Sequence, residues 1–296
     1  MLKTDQIRIR DPFVYAQEGW YYLYGTVNED TARELYVFKS RDLCNWEEPQ
    51  AIFDIADVSW AEKDLWAPEL HVYQGKYYLF VSILGKNGLR GTQVAVSDTL
   101  DGKFIPVADR PSTPLEYSCI DGTLYIENDV PYMVYSHDWP DCFHEDKGFY
   151  VGEICAVELT EDLSEPIGVP FKLFASNEAK QYAPAVHEFL GDMVTRYGSD
   201  GPFLQKLESG KLLLTWSPIP DSNYIVAGAV SDSGSIHGPW RHLEKPIFDR
   251  NGGHAMLFTD LNGKKKMAIH YPERVPDERA LFLDVQETDE TIVPVL

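Results

Sequence analysis

Residues 11–26 read DPFVYAQEGWYYLYGT, and the fold is inferred outward from this stretch. Two runs rich in tyrosine, valine and leucine flank the turn residues Glu18 and Gly19. Aromatic and β-branched runs on both sides of a short glycine-containing turn are typical of a β-hairpin. The stretch therefore predicts two antiparallel strands joined by a tight turn.

The hairpin pattern recurs four more times along the chain. The later copies are APELHVYQGKYYLFVS at 67–82, DGTLYIENDVPYMVYS at 121–136, DGPFLQKLESGKLLLTWS at 200–217 and HAMLFTDLNGKKKMAIH at 254–270. Successive copies begin 56, 54, 79 and 54 residues apart. Most copies are followed by further strand-forming sequence, such as IVAGAVSDSGSIHGPWRHL at 225–243. Each unit is therefore predicted to hold about four strands.

Repeated units of this length and strand content are typical of the blades of a β-propeller. The longest unit contains SHDWPDCFHEDKG at 136–148, which is rich in proline, aspartate and histidine and predicts an inserted loop. No 3.6-residue hydrophobic periodicity persists, and nothing divides the chain into two domains. We therefore predict an all-β, five-bladed β-propeller that forms a single domain over residues 1–296.

The charge balance narrows the expected partners. The chain has a formal net charge of −21, which repels phosphate backbones and anionic membrane surfaces. Neither nucleic acid nor a membrane is therefore expected as a partner, whereas a neutral oligosaccharide is compatible with this field. The chain contains no run of about 18 apolar residues, so no membrane-spanning helix is predicted. The sequence indicates no organic cofactor and leaves the oligomeric state open.

The N-terminus and the cysteines indicate a compartment. Met1 is followed by Leu-Lys-Thr-Asp-Gln without the apolar stretch of a signal peptide, which predicts a cytoplasmic location. The four cysteines form no CxxC pair, so free thiols in a reducing compartment are predicted. They are Cys44, Cys119, Cys142 and Cys155.

The first residues of the repeats are the candidates for chemistry. Equivalent positions at one end of the innermost strands converge near the axis of a propeller. These positions include Asp11, Asp121, Asp200 and His254. A single aspartate at a strand start commonly caps a turn, but three carboxylates in one funnel repel each other and indicate a functional site. Glycosidic bond hydrolysis needs two carboxyl groups, one as acid and one as base or nucleophile.

Short motifs across the whole chain resemble those of glycoside hydrolase family 43. They are RDPF at 10–13, WAPEL at 66–70, IDGTL at 120–124, DGPF at 200–203 and GGHAMLF at 252–258. The resemblance implies a five-bladed propeller and an inverting glycosidase acting mainly on arabinose- and xylose-containing glycans.

The resemblance also implies a role for each axial residue. Asp11 matches the general base, and Asp121 matches the carboxylate that holds and tunes the acid. Asp200 stands where the family usually has the glutamate of an EGP motif, so it is the expected general acid, with a pKa raised by Asp121. His254 matches a histidine near a central cation or water cluster, which implies one structural cation, calcium or sodium.

The shorter Asp200 side chain leaves the identity of the acid open. Asp reaches about 1.5 Å less far than Glu. Glu69 or Glu188 is therefore an alternative acid, although Glu69 is expected to be structural or to contact substrate.

Further substrate contacts are expected from aromatic and cationic side chains. Aromatic rings stack on sugar rings, and an arginine binds sugar hydroxyls, but the same residues also fill blade interfaces and form surface ion pairs. The candidates are Phe13, Trp66, Trp139, Trp216 and Arg279.

The leading functional prediction is an exo-acting α-L-arabinofuranosidase with Asp11 as base and Asp200 as acid. A β-xylosidase and an endo-arabinanase are the nearest alternatives. A catalytically inactive carbohydrate-binding propeller is favoured by the aspartate in SDGP. A protein-interaction propeller would leave the three axial aspartates without a purpose.

Overall fold

The computed structural model describes residues 1–27, 31–220 and 223–295, and β-strands dominate it. The described helices are single 3₁₀ turns, none of which has the length or apolar character that a bilayer crossing requires. They are Thr4–Gln6, Ile55–Asp57, Trp139–Asp141 and Ser176–Glu178. The prediction of an all-β chain is confirmed.

The strands are numbered here in chain order. They are β1 (Leu2–Lys3), β2 (Arg10–Gln17), β3 (Trp20–Thr26), β4 (Glu34–Ser40), β5 (Asn45–Trp46), β6 (Gln50–Asp54), β7 (Ala61–Tyr73), β8 (Lys76–Gly85), β9 (Arg90–Ser97), β10 (Ile105–Pro106), β11 (Cys119–Glu127), β12 (Val130–His137), β13 (Phe143–His144), β14 (Phe149–Val151), β15 (Glu153–Leu159), β16 (Pro166–Ala175), β17 (Ala185–Phe189), β18 (Asp192–Tyr197), β19 (Ser199–Lys206), β20 (Leu212–Pro218), β21 (Ala227–Ser231), β22 (Trp240–His242), β23 (Gly253–Thr259), β24 (Lys265–Tyr271), β25 (Arg279–Glu287) and β26 (Ile292–Val295).

The described strands form six sheets, and each repeat seen in the sequence supplies the first hairpin of one sheet. Those five sheets have the strand orders β1-β5-β4-β3-β2 with β6 on β4, β10-β9-β8-β7, β11-β12-β15-β16, β19-β20-β21-β22 and β23-β24-β25-β26. Antiparallel pairing of consecutive strands dominates because short turns join them.

The sixth sheet corrects the prediction that residues 136–148 are only an inserted loop. It has the order β13-β14-β18-β17 and is built from the segments on either side of β15 and β16. Aromatic side chains give these short strands a packing face, because Phe143 lies against Tyr150 and Trp139 lies against Phe189.

The same β-bulge occurs in the first strand of all five repeat sheets. Each bulge places one extra residue on that strand, and the residue after the last regular pair has a positive φ. The positive-φ residues are Asp11 (50°), Ala67 (44°), Asp121 (55°), Gly201 (49°) and His254 (55°). The fourth repeat is therefore shifted by one residue from the sequence alignment. Gly201, and not Asp200, is the structural equivalent of Asp11.

The bulge residues connect each sheet to its neighbour. The amide of Ala67 donates to Thr26 Oγ1 at 2.7 Å, and the amide of Asp121 donates to Ser82 Oγ at 2.7 Å. The same arrangement recurs where His254 N–H meets Ser217 Oγ at 2.9 Å and where Asp11 N–H meets His270 Nδ1 at 3.2 Å. These bonds join the bulge in the first strand of one sheet to the second strand of a neighbouring sheet, and they direct the bulge side chains toward a common site.

Candidate active site

A cavity of about 310 Å³ opens where the first strands converge. It brings together all three predicted catalytic aspartates and two of the predicted sugar-contacting tryptophans. The lining residues are Arg10, Asp11, Thr26, Trp66, Arg90, Ile120, Asp121, Asp138, Trp139, Pro140, Asp200 and Ile219.

Asp11 lies in a cationic environment at the base of this cavity. Thr26 Oγ1 donates a hydrogen bond of 2.6 Å to its Oδ2, and His254 Nδ1 lies 3.2 Å from its Oδ1. Burial opposes ionisation, but the neighbouring imidazoles of His254 and His270 and the charge of Arg10 hold the pKa of Asp11 well below its ordinary value. Asp11 is therefore a carboxylate at neutral pH and is able to accept a proton from water.

Asp121 and Asp200 form a hydrogen-bonded carboxyl pair. Burial, followed by the neighbouring charge of Asp200, raises the pKa of Asp121 well above its ordinary value. Burial also opposes ionisation of Asp200, but a hydrogen bond from Asp121 and the charge of His254 bring its pKa below the ordinary value. The pair thus holds one proton, mainly on Asp121. This distribution is the opposite of the one predicted from the sequence, in which Asp121 raised the pKa of Asp200.

The difference follows from the charge of His254, whose Nδ1 lies 3.7 Å from Asp200 Oδ1, and from the donors around each carboxyl. Tyr224 Oη donates a hydrogen bond of 2.5 Å to Asp200 Oδ2, which stabilises the ionised form of Asp200. Apart from its bond with Asp200, Asp121 accepts a 3.1 Å bond from the Gly201 amide and a 3.5 Å contact from Ser82 Oγ. Asp121 is also more deeply buried, whereas the Asp200 side chain keeps 15% of its surface exposed and faces the cavity.

Tyr224 and His270 also belong to the site. The sequence does not single out Tyr224, and for His270 it favours the role of a hydrogen-bonded core histidine. Their rings stack with centroids 5.2 Å apart, and His270 Nε2 contacts Glu273 Oε2 at 2.5 Å. Burial disfavours the imidazolium, but the neighbouring carboxylates of Asp11 and Glu273 raise the pKa of His270. The sequence contained a signal for His270, because the first four repeats end in Thr or Ser and only the fifth ends in His.

Asp138 and Arg90 also line the cavity and were not singled out. Burial raises the pKa of Asp138 to about 6, with Arg90 lowering it and Asp200 raising it. The Arg90 guanidinium lies 3.5 Å from the centroid of the Trp66 ring and pairs with Asp64 at 2.8 Å. Asp138 is therefore a fourth carboxyl in the cavity, and it exchanges its proton at a pH of about 6.

Two expected sugar contacts are core residues. Trp216 is fully buried against Phe174, with ring centroids 5.5 Å apart, because it lies on the central strand β20. Phe13 is 5% exposed and packs edge-on against His71 and Phe203. Both predictions of substrate contact are corrected, since neither residue lines the cavity.

The two alternative acids and Arg279 also lie outside the cavity lining. Glu69 is buried and paired with His71 at 2.9 Å, and Glu188 is exposed on β17 of the sixth sheet. Arg279 Nε donates to the Asp5 carbonyl at 2.6 Å, and its Nη1 donates to the Glu278 carbonyl at 2.8 Å. Arg279 thus links β25 to the N-terminal segment, which corrects its expected contact with sugar.

The cation predicted near His254 stays a prediction. Asp121, Asp200 and His254 offer one donor atom each within 4.8 Å of one another. Calcium takes six to eight oxygen ligands. Here the two carboxyls bond to each other, and the ring nitrogen His254 Nδ1 faces Asp11. These side chains do not fit a calcium ion.

Comparison with known proteins places this geometry in a family. The model of the glycosyl hydrolases family 43 matches residues 5–287. A curated xylosidase/arabinosidase 43A from Humicola insolens is 29% identical over 149 residues, which are 47% of this chain and 43% of that protein. The aligned region thus spans less than half the length of this curated relative.

Solved structures match over a larger region. An endo-arabinase from Bacteroides thetaiotaomicron VPI-5482 has a TM-score of 0.84 and 32% identity, with 98% of each chain covered. A thermostable family-43 glycoside hydrolase has a TM-score of 0.80 and 25% identity, covering 97% of this chain and 92% of the other. The resemblance inferred from the sequence motifs is confirmed, and the chain belongs to the glycosyl hydrolases family 43.

Proposed function

We propose that the protein is an inverting glycosidase that releases terminal α-L-arabinofuranosyl residues from arabinose- or xylose-containing oligosaccharides. One observation carries the proposal. An ionised carboxylate, Asp11, and a carboxyl pair that holds a proton, Asp121–Asp200, face the same cavity. A base and an acid on two sides of the scissile bond are what inverting hydrolysis requires.

The proposed mechanism moves one proton at each carboxyl site. Asp11 removes a proton from a water molecule as that water attacks the anomeric carbon. Asp200 donates the proton of the pair to the glycosidic oxygen as the bond to the leaving group breaks, and Asp121 supplies that proton through their shared hydrogen bond. The anomeric configuration is inverted because the water enters opposite the leaving group. Water then restores the proton to the pair, while Asp11 releases its own.

The size of the cavity supports exo action. Ligand pockets commonly enclose about 300–1,000 Å³, so a cavity of about 310 Å³ is at the small end and suits one terminal pentosyl unit. Trp139 and Pro140 form part of its wall. We also propose that the five repeat sheets form a single five-bladed propeller. The bonds from Asp11 to His270 and between the other neighbouring sheets support this arrangement.

An endo-arabinanase is the second candidate. The Bacteroides endo-arabinase that resembles this chain over 98% of its length favours it. A β-xylosidase is the third candidate, since the Humicola relative is named for both sugars. Exo- and endo-acting enzymes differ in how much of the sugar chain must be bound on both sides of the cleaved bond.

Hydrolysis and product analysis test the proposal. The wild type and Asp11→Asn are compared on aryl α-L-arabinofuranoside, aryl β-D-xyloside and linear arabinan, with NMR detection of the first anomer released. The proposal expects arabinose as the initial product with inverted configuration. Arabino-oligosaccharides as first products establish endo action. Binding of oligosaccharides without hydrolysis of any substrate establishes the inactive binding propeller.

A further inference from the structure

A second pocket lies next to the catalytic cavity. It also measures about 310 Å³, and Arg90 lines both spaces. Trp60 and Tyr117 contribute aromatic surface to this pocket, and Lys86 and Arg110 contribute charge. We call the space lined by Trp60, Lys86, Arg90, Arg110 and Tyr117 the basic pocket.

The charge of the basic pocket is opposite to that of the whole chain. The protein carries a formal charge of −21, yet three cationic side chains and no Asp or Glu occur among the described residues that line this pocket. The chain has 47 acidic and 26 basic residues, so its solubility does not depend on three cationic side chains around one cavity. The cationic side chains in the lining therefore offer hydrogen-bond donors to an anionic group inside the pocket.

Carboxylates that do not line the pocket pair with two of its three cationic side chains. Arg90 pairs with Asp64 at 2.8 Å, and Arg110 pairs with the exposed Glu165 at 3.1 Å. Lys86 Nζ donates to the Ser59 carbonyl and has no carboxylate partner among the described residues. An ammonium group carries three donors, so Lys86 keeps hydrogen-bonding capacity for a ligand.

The aromatic surface indicates that the anion is attached to a ring. Trp60 is held in place by a 2.8 Å bond from its Nε1 to Gln93 Oε1, and Tyr117 is fixed by a 2.8 Å contact with Tyr135 Oη. Aromatic side chains held rigidly in this way offer a flat face to a sugar ring. A simple inorganic anion would not use this surface.

We propose that the basic pocket binds a uronic acid residue, with its carboxylate near Lys86 and Arg110 and its ring against Trp60. Such a residue is a carboxylate-bearing branch or neighbour of the pentosyl unit in the catalytic cavity. Because Arg90 lines both spaces, one oligosaccharide is able to occupy both. This part of the inference rests on the proposed glycosidase function, whereas binding of the uronic acid alone does not.

Matched monosaccharides test the carboxylate directly. Methyl β-D-glucuronoside and methyl β-D-glucoside differ only in a carboxylate against a hydroxymethyl group, and their affinities are measured by NMR titration of Asp11→Asn. The proposal expects about tenfold tighter binding of the glucuronoside, since a charge-assisted hydrogen bond contributes about that factor. The difference should shrink as salt is raised from 20 to 300 mM. Acetate serves as the anion without a ring and should bind more weakly than the glucuronoside.

Two independent variants locate the site. Lys86→Gln and Arg110→Gln should each reduce the preference for the glucuronoside at least threefold, while the exposed Lys180→Gln should leave it unchanged. Circular dichroism melting identifies any variant that fails to fold, and the other variant then decides. Equal affinity for both glycosides in the unsubstituted pocket overturns the proposal, as does a preference that survives both substitutions.

The outcome is separable from that of the proposed function. Wild-type hydrolysis of aryl arabinofuranoside without any preference for the glucuronoside refutes the basic pocket alone. A carboxylate preference in a protein that hydrolyses no pentoside refutes the glycosidase alone. Tighter binding of a xylo-oligosaccharide with a glucuronic acid branch than of its carboxyl-reduced form shows that one ligand occupies both spaces. Equal binding of these two oligosaccharides refutes simultaneous occupancy.

Discussion

The hydroxyl of Tyr224 donates a 2.5 Å hydrogen bond to Asp200, and this contact adds to the hydrogen bond from Asp121 and the charge of His254 in lowering the pKa of Asp200. A donor to an ionised carboxylate lowers its pKa. The proton therefore resides mainly on Asp121, which is more deeply buried and accepts longer hydrogen bonds, from the Gly201 amide and Ser82 Oγ. The pair delivers its proton through Asp200 only after the proton crosses the hydrogen bond between them.

Tyr224→Phe should raise the pKa of Asp200, because the substitution removes a donor that stabilises its ionised form. The alkaline limb of the pH–rate profile should then move to higher pH by up to about one unit. The profile of kcat/KM on an aryl arabinofuranoside measures this shift. An unchanged alkaline limb in a folded variant would show that Asp200 does not control it.

Asp11→Asn should lower kcat by about 10²–10⁴ because the amide cannot accept the proton of the attacking water. The Thr26 hydroxyl keeps an acceptor in the amide oxygen, so the fold should persist. The exposed Asp98→Asn is the matched control and should retain activity. Near-native turnover by a folded Asp11→Asn protein would exclude Asp11 as the base.

Asp200→Asn should impair natural oligosaccharides more than activated aryl glycosides, because a good leaving group needs little protonation. Glu69→Gln should show no such dependence on the leaving group, since Glu69 is buried against His71 outside the cavity. The ratio of kcat/KM values on the two substrate types is the measurement. The reverse pattern would identify Glu69 as the acid.

Asp138→Asn should be more favourable for stability, relative to the wild type, at neutral pH than at acidic pH. The pKa of Asp138 is raised to about 6, so its ionisation in the folded state is disfavoured. The stability linked to this group is complete below the unfolded pKa near 4 and is lost as the pH rises through about 6. Asn does not ionise and avoids this loss.

The free energy of unfolding of Asp138→Asn relative to wild type should therefore increase by about 1–2 kcal/mol between pH 4 and pH 7.5. Urea unfolding at both pH values measures the difference. The exposed Asp192→Asn is the control and should show no comparable change. A constant difference between Asp138→Asn and wild type would mean that Asp138 ionises normally.

Local sequence determined much of the molecule. The five hairpins follow from strand-forming runs and turn residues only a few positions apart, so they were readable without a structure. The family and the proximity of Asp11, Asp121 and His254 followed from the repeat register. The register failed by one residue in the fourth repeat, because its aspartate, Asp200, precedes the bulge residue Gly201 and does not occupy the bulge position itself.

The proton distribution and the site's other members were decided by tertiary structure alone. Asp11 and His270 are hydrogen-bonded although 259 positions separate them in the sequence. Asp121 and the Gly201 amide are hydrogen-bonded across a separation of 80 positions. The same long-range packing placed Trp216 in a core and Arg279 against the N-terminal segment. Hydrogen bonds and burial of this kind set pKa values through distance in space, which composition and local periodicity do not encode.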